Sequence, residues 1–396
     1  MRGPRGLSPG GEGKGMGFLR SFRLELEALS PVHVGTGEAY PAYAYVPDFA
    51  KKEVHLLDPG ALLLALPEAR KRQYLEKVAQ GPKAAQEVLR YLYEEGQLPR
   101  KAVLRTLPAS SAFLETVRSA TEEAALEYRP LPSSPLAPYL PYLPGSSVKG
   151  SLRTAWLFHV LMERGQVAEW DQKAKVWRLR AWRERDGEVL IHPSRNPGLS
   201  ENQDFEGAVL GYARKGRRGL DLYQDPFRAV RLSDSGPTPT FLNRIGVFHP
   251  TKDTSGMVLL AETFRRGTRF VLTLRYHEGL GQRGGVSMPI PPEALARALR
   301  DYYGRVAEWE KRLAEDYGLK KALEVYEALS ERLKDPGVFP LRVGFGSGRL
   351  ALRLALLLPE NHPEGQEPKT RKTVGARNPQ DGYPLGWMVG RLQALS

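Results

Sequence analysis

From Phe18 to Val34 the chain alternates, with Phe22, Leu24 and Leu26 set against Arg23, Glu25 and Glu27, and that period of two predicts a half-buried strand. It runs into Pro31-Val32-His33-Val34-Gly35-Thr36-Gly37, a glycine-bearing turn. Asp58-Pro59 ahead of Ala61, Leu62, Leu63 and Leu64 predicts an N-cap, a proline in the first helical turn and a helix start. Helical spacing continues to about Gly96, with Leu75, Val78, Val88, Leu89 and Leu92 as the apolar stripe and Gly81-Pro82 as a break. Six prolines in residues 130–145 predict an extended stretch, and Ser151 to Arg164 predicts the next helix. Short strand-like segments follow at Phe227 to Asp234, Thr240 to Phe248 and Met257 to Leu260, then a longer one at Thr268 to Tyr276. Helical spacing returns over 293–334, and Leu341 to Leu358 reads as strand, glycine loop and apolar segment. Strands mixed with helices predict an α+β fold, and no solenoid period occurs.

Composition narrows the class. At 396 residues there is ample core for two or three packed units. Residues 1–17 hold seven glycines and two prolines and predict a flexible basic N-terminal arm, with Met16 as an alternative start. Residues 165–220 are charged and lack a clean period, so they predict an insertion whose basic loop at 212–219 is by default a solvated face. Lys plus Arg number 58 against 45 Asp plus Glu, a net charge of +13. Of those 58 bases 40 are Arg, whose planar guanidinium suits phosphates and bases, although a GC-rich or thermophilic genome gives the same bias. Absence of Cys excludes disulfides, thiol catalysis and Cys-ligated metal. No apolar run spans a bilayer, which argues against a membrane partner; with no signal sequence recognisable, the expected location is cytoplasmic.

Two glycine-rich segments are candidates for chemistry. In Leu143-Pro144-Gly145-Ser146-Ser147-Val148-Lys149-Gly150-Ser151-Leu152-Arg153 the glycines allow close backbone approach, Ser146 or Ser147 is placed to cap, and a helix N-terminus offers free N–H groups to a phosphate. It is not a Walker A loop, because Lys149 precedes Gly150. The same letters describe an ordinary capped helix start, and spacing does not separate the two. Val343-Gly344-Phe345-Gly346-Ser347-Gly348-Arg349 follows a strand without the helix and acid of a dinucleotide site, and a tight turn explains it equally well. Seven histidines are scattered without HExxH or any i, i+4 pair, so no metal or other cofactor is expected. His33 is a candidate acid or base, against the commoner packed histidine. Asp48, Asp225, Asp234 and Asp253 are adequately explained as turn residues.

In combination these residues resemble a known family. Pro141 to Arg153 resembles the glycine-serine-lysine signature of the RAMP superfamily, the RNA-binding proteins of CRISPR interference complexes. Leu29 to Gly37 is similar to the first strand and turn of those proteins, Glu262 to Phe270 resembles their "E, apolar, GT, F" strand opening, and Val343 to Gly348 their C-terminal glycine-rich loop. Asp225 to Ser235, Phe345 to Gly348, Pro368 to Lys372 and Pro384 to Trp387 resemble the fifth-subunit family of type III-A (Csm) complexes. The resemblance implies a ferredoxin-like (RRM-like) core with glycine-rich loops, a β-hairpin thumb near Arg244 to Leu260 and helical insertions. The implied domains are 18–280, an N-terminal RAMP domain interrupted at about 58–130 and 165–220, and 281–396, a C-terminal helical and RAMP-like region.

The function so implied is a non-catalytic subunit that caps the 3′ end of the guide RNA (crRNA) and contributes to its maturation, to complex assembly and to antiviral defence. Its implied partners are crRNA, target RNA, the repeated backbone RAMP subunit, the small subunit, and host nucleases for 3′ trimming. The expected RNA contacts are His33, Gly145, Ser146, Ser147, Lys149, Gly150, Arg153, Arg231, Gly344, Gly346, Gly348 and Arg349. Two alternatives stay open. One is a metal-independent endoribonuclease using His33, with Lys149 or Arg153 steadying charge. The other is a purely structural cap that depends on Pro384 to Trp387 and the helices of 293–334.

Overall fold

The alternation at the start of the chain becomes β1 (Leu19–Ala28), whose Phe22, Leu24, Leu26 and Ala28 point inward and are buried. The computed structural model describes residues 19–120, 126–134, 137–163, 168–171, 176–179, 190–191, 206–207, 209–212, 220–249, 252–282, 285–347 and 371–395. The N-terminal arm and the basic loop at 213–219 lie outside them. β1 is the middle of a five-stranded sheet, order β11-β14-β1-β18-β15, built with β11 (Val230–Leu232), β14 (Arg269–His277), β15 (Val338–Arg342) and β18 (Trp387–Ala394). Every pairing is antiparallel, and Leu24 faces Leu272 on one side and Leu392 on the other.

Helices cover one face of this sheet. α5 (Gly145–Glu163), α7 (Pro292–Asp316) and α8 (Lys320–Arg332) bury Leu152, Phe158, Leu299, Tyr302 and Tyr326 in the core they share with the inward side chains of β1 and β14. Each fully buried leucine or phenylalanine contributes roughly 1.5–3 kcal/mol. Read in chain order, β1, α5, β11, β14, α7 and β18 give the βαββαβ order of a ferredoxin-like core, with β15 added at the edge. From the region after 281, β15 and β18 therefore complete the sheet that β1 centres.

The expected helical insertion is a lobe in which β2 (Tyr45–Asp48), β3 (Glu53–Leu57) and β4 (Val103–Pro108) form a sheet beside α1 (Pro59–Ala65), α2 (Glu68–Ala79), α3 (Pro82–Glu94) and α4 (Ser111–Ser119). Asp58 caps α1, accepting from the Gly60 and Ala61 N–H groups at 2.8 and 3.1 Å. The helical run breaks at Gly81-Pro82 as expected and also at Pro67. The remaining strands are β5 (Tyr128–Arg129), the ribbon β6 (Ser133–Ser134) with β7 (Ala137–Pro141), and the three-stranded β8 (Ala168–Asp171), β9 (Val176–Leu179) and β10 (Leu190–Ile191). The thumb is β12 (Phe241–His249) paired with β13 (Lys252–Thr263) from Phe241↔Thr263 to His249↔Lys252. With β5, β16 (Arg371–Val374) and β17 (Tyr383–Pro384) it makes a second five-stranded sheet, order β17-β16-β12-β13-β5. The short helix α6 (Glu278–Gln282) follows β14, and among the described residues no helix is long and apolar enough to cross a membrane.

Antiparallel register gathers the motifs. The C-terminal ends of β1, β11 and β15 and the N-terminal ends of β14 and β18 all lie at one end of the central sheet. Phe345 N–H donates to the His33 carbonyl at 2.8 Å, and Gly386 N–H to the Pro31 carbonyl at 2.9 Å. Gly344 has φ +84°, and a Cβ there would collide with the His33 carbonyl. Gly344→Ala combines left-handed strain of about 1–3 kcal/mol with that clash, so its denaturant midpoint falls clearly below that of the parent. Gly150→Ala, in a helix with nothing within 4 Å of the new carbon, raises stability by about 0.5–1 kcal/mol. Equal midpoints for the two variants would contradict the packing of the loop on β1.

Candidate nucleic-acid interface

The glycine-serine-lysine segment is helix, not loop. α5 begins at Gly145, six residues before the start expected from spacing, because its cap comes from elsewhere in the chain: Asp234, just beyond β11, accepts from the Gly145 N–H at 2.8 Å. A Cβ at Gly145 would run into the Leu232 and Ser233 carbonyls, so only glycine lets the helix start against β11. Ser146 and Gly150 are exposed, Ser147 and Lys149 half-buried. Ser151 hydroxyl donates to the Arg342 carbonyl at 2.7 Å and so ties α5 to the strand that leads into the second glycine segment.

The cations near α5 divide by partner. Arg153 bridges Glu206 at 2.6 Å and Asp225 at 2.7 Å and lies 4.6 Å over the Phe227 ring. Burial works against its charge, but its hydrogen bonds to Asp225 and Glu206 and their negative charges push the guanidinium further up. This arginine, expected at a phosphate, is held internally. Lys149 has no ion-pair partner among the described residues; burial lowers its ammonium, and Arg153 and Arg231 lower it further against the pull of Asp225. Arg231 is exposed on edge strand β11, directly across from the exposed Arg275 of β14. Two cations facing each other across strands destabilise a sheet unless an anion joins them.

The second glycine segment is a turn locked by packing. Gly344 and Gly346 both have positive φ, and a Cβ at Gly346 would press on Leu385. Arg342 donates to the Gly346 carbonyl at 3.0 Å and to the Leu385 carbonyl at 3.0 Å while paired with the buried Glu310, which also accepts from the Tyr326 hydroxyl at 2.6 Å. Gly348 and Arg349 lie outside the described residues. Lys372 Nζ stands 4.1 Å from the centre of the Phe345 ring.

His33, expected among the RNA contacts, is 1% exposed. Its Nδ1–H donates to the Glu262 carbonyl at 2.7 Å, and its ring meets Phe345 edge-on. Burial pushes its pKa down, partly offset by the Glu262 bond. Asp48 is a turn residue: it accepts from the Lys51 N–H at 2.9 Å and the Tyr93 hydroxyl at 2.6 Å. Pro384 to Trp387, named for a structural cap, are buried. No group of three or more His, Cys, Asp or Glu among the described residues suits a metal ion.

Spacing alone does not single out Glu262, Asp234, Arg275, Arg371 or Lys372 as parts of the site. Glu262, Asp234 and the Arg371-Lys372 pair do lie inside the motifs that carry the family resemblance. Arg275 becomes visible only through its cross-strand register with Arg231.

The chain matches the RAMP superfamily over residues 25–351. A curated relative, the Csm5 protein of the Streptococcus thermophilus CRISPR system, is 24% identical over 221 residues, 55% of this chain and 52% of that protein. The match thus spans about half of the relative's length. A chain in the cryo-EM structure of a Csm–crRNA–target RNA ternary complex, from a type III-A CRISPR-Cas system, aligns with TM-score 0.68 at 20% identity, over 94% of this chain and all of that one. The crystal structure of T. onnurineus Csm5 aligns with TM-score 0.59 at 19% identity, over 92% and 99% of the two chains. The fold is therefore shared with both.

A histidine held below its unfolded pKa is protonated more readily when the chain unfolds. Its contribution is therefore whole above pH about 6.5 and is lost as pH falls toward the lowered folded value. Denaturant midpoints measured between pH 7.5 and 5 should fall more steeply for the parent than for His33→Gln. Parallel curves would mean that His33 is not the buried neutral group described.

Proposed function

The chain belongs to the RAMP superfamily, and on that premise we propose that it is an RNA-binding subunit of a type III-A (Csm) CRISPR complex that holds the 3′ part of the crRNA. The observation that carries this reading is that Lys149 and Arg231, close to each other near the start of α5, have no ion-pair partner among the described residues, while the glycine turn at Gly344 packs on the His33 carbonyl of a ferredoxin-like core. Lys149 and Arg231 neutralise backbone phosphates, while the first turns of α5, at Ser146, Ser147 and Gly150, and the turn at Gly344 and Gly346 bring the main chain close to the RNA. Gly348 and Arg349 extend that turn in the same proposal. Arg153 acts as a positioning residue through Asp225 and Glu206.

The thumb is the element proposed to meet the guide–target duplex, and the repeated backbone RAMP subunit and the small subunit are the proposed neighbours. As such a cap the chain contributes to crRNA maturation, with trimming left to a host nuclease, and to assembly and antiviral defence in the cytoplasm. Binding is favoured over cutting because the group offered as acid or base for cleavage is committed elsewhere: His33 is buried and donates to the Glu262 carbonyl.

Replacing Lys149 and Arg231 together by Ala is expected to weaken binding of single-stranded guide RNA. The log–log salt dependence should flatten by about 0.7 for each phosphate that is no longer neutralised. Arg153→Ala should instead lower stability, by about 2–3 kcal/mol, because it strands Glu206 and Asp225 in a partly buried site, and should leave the slope in place. Filter binding at four salt concentrations with parallel urea unfolding checks both. A double variant that binds with the parent slope and affinity contradicts the assignment.

A further inference from the structure

The cations that remain without carboxylates are not confined to α5. β16 pairs with β12 through Lys372↔Val247 and Arg371↔Phe248, so Lys372 and Arg371 leave the strand on opposite faces. Beyond them Arg377 is exposed on the turn after β16. None of the three has an ion-pair partner among the described residues, in contrast to Arg105, Arg153 and Arg342. Asp381, the one acid on that turn, is exposed and unpaired among the described residues. Arg371 carries a buried Nη2 with no hydrogen-bond partner.

Lys372 is also preorganised. Its ammonium rests on the Phe345 ring, and Phe345 is fixed by glycines of positive φ on both sides and by its N–H bond to the His33 carbonyl. A lysine that hovers over an aromatic face keeps its charge in place without consuming it, since the ring supplies no anion. Burial lowers the Lys372 ammonium, and burial together with the nearby Arg377 lowers Arg244. β17 pairs with β16 only at Thr373 and Val374, which leaves the edge beside Arg371 and Lys372 free of that strand.

We propose that Lys372 and Arg371, astride the half of β16 that β17 does not pair and supported by Arg377, form a second phosphate subsite for RNA beside the Gly344–Gly346 turn. The subsite rests on the RNA-binding reading and extends it from Lys149 and Arg231 to the far side of the Gly344 turn, where Lys372 meets Phe345. Ser151, through its bond to Arg342, joins the two halves of that path.

The test uses the full chain and a fluorescein-labelled single-stranded oligouridylate, whose binding is titrated at several salt concentrations. Lys372→Ala and Arg371→Ala are each expected to reduce the log–log salt slope by about 0.7, and Lys372→Arg is expected to retain it. Lysine acylation followed by mass spectrometry supplies a readout that needs no variant: RNA should protect Lys372 several-fold. If Lys372→Ala with Arg371→Ala keeps the parent slope, or Lys372 acylates equally with and without RNA, while Lys149→Ala still weakens binding, the subsite is wrong and the broader reading survives. If the parent chain itself binds no RNA, the broader reading fails.

Discussion

The side chain of Glu262 is the joint on which the arrangement depends. It lies at the end of β13, 1% exposed, and its carboxylate accepts from Arg105 of β4, from the Thr240 hydroxyl and from the Leu131 N–H at 3.1 Å. Its carbonyl accepts from His33 at the end of β1. One residue thus ties the thumb sheet to the helical lobe and to the central sheet. A buried carboxylate is tolerable only when its acceptor sites are filled, so loss of any one partner strains the others. His33 passes the constraint on, because its carbonyl receives Phe345 and its own position determines how closely Gly344 must approach.

A second buried pair, Glu310 with Arg342, does the same on the helical side, fixing the Gly346 and Leu385 carbonyls while Ser151 holds the Arg342 carbonyl. Between these anchors the strand ends cannot drift independently. This gives the excess positive charge its meaning. Arginines such as Arg105, Arg153 and Arg342 are spent inside the protein as connectors, whereas Lys149, Arg231, Arg371 and Lys372 have no carboxylate among the described residues. Net charge alone does not distinguish the two groups; geometry does. Such cations on a rigid fold suit a polyanion whose sequence varies, because phosphates repeat while bases change.

Features set by local chemistry are legible in the sequence. β1 shows as alternation because only one of its faces is buried, and α1 shows through Asp58-Pro59, whose cap lies within three residues. The break at Gly81-Pro82 and the two strands of the thumb follow from the same short-range signals. The start of α5 is hidden from local reading because its capping carboxylate, Asp234, is 89 residues away. The inward commitment of Arg153 and the burial of His33 are set by Asp225, Glu206 and Glu262, distant in sequence, so no local pattern announces them. The glycine segments illustrate both sides: that they permit close approach is plain from composition, but that Gly344 approaches a histidine carbonyl is known only from the fold.

The proposed role is to hold the 3′ part of a crRNA, along α5, the Gly344 turn and β16, within a Csm assembly. The most direct measurement is protein–RNA crosslink mapping on the chain co-expressed with the other Csm subunits and a guide, after size exclusion monitored at two wavelengths. The expected result is that the chain elutes with RNA in a large particle and that peptides containing 145–150, 231, 344–347 and 371–372 crosslink to the 3′ portion of the guide. A chain that elutes free of RNA, or whose crosslinks fall on the helical lobe of 45–119 and spare these segments, would contradict that role.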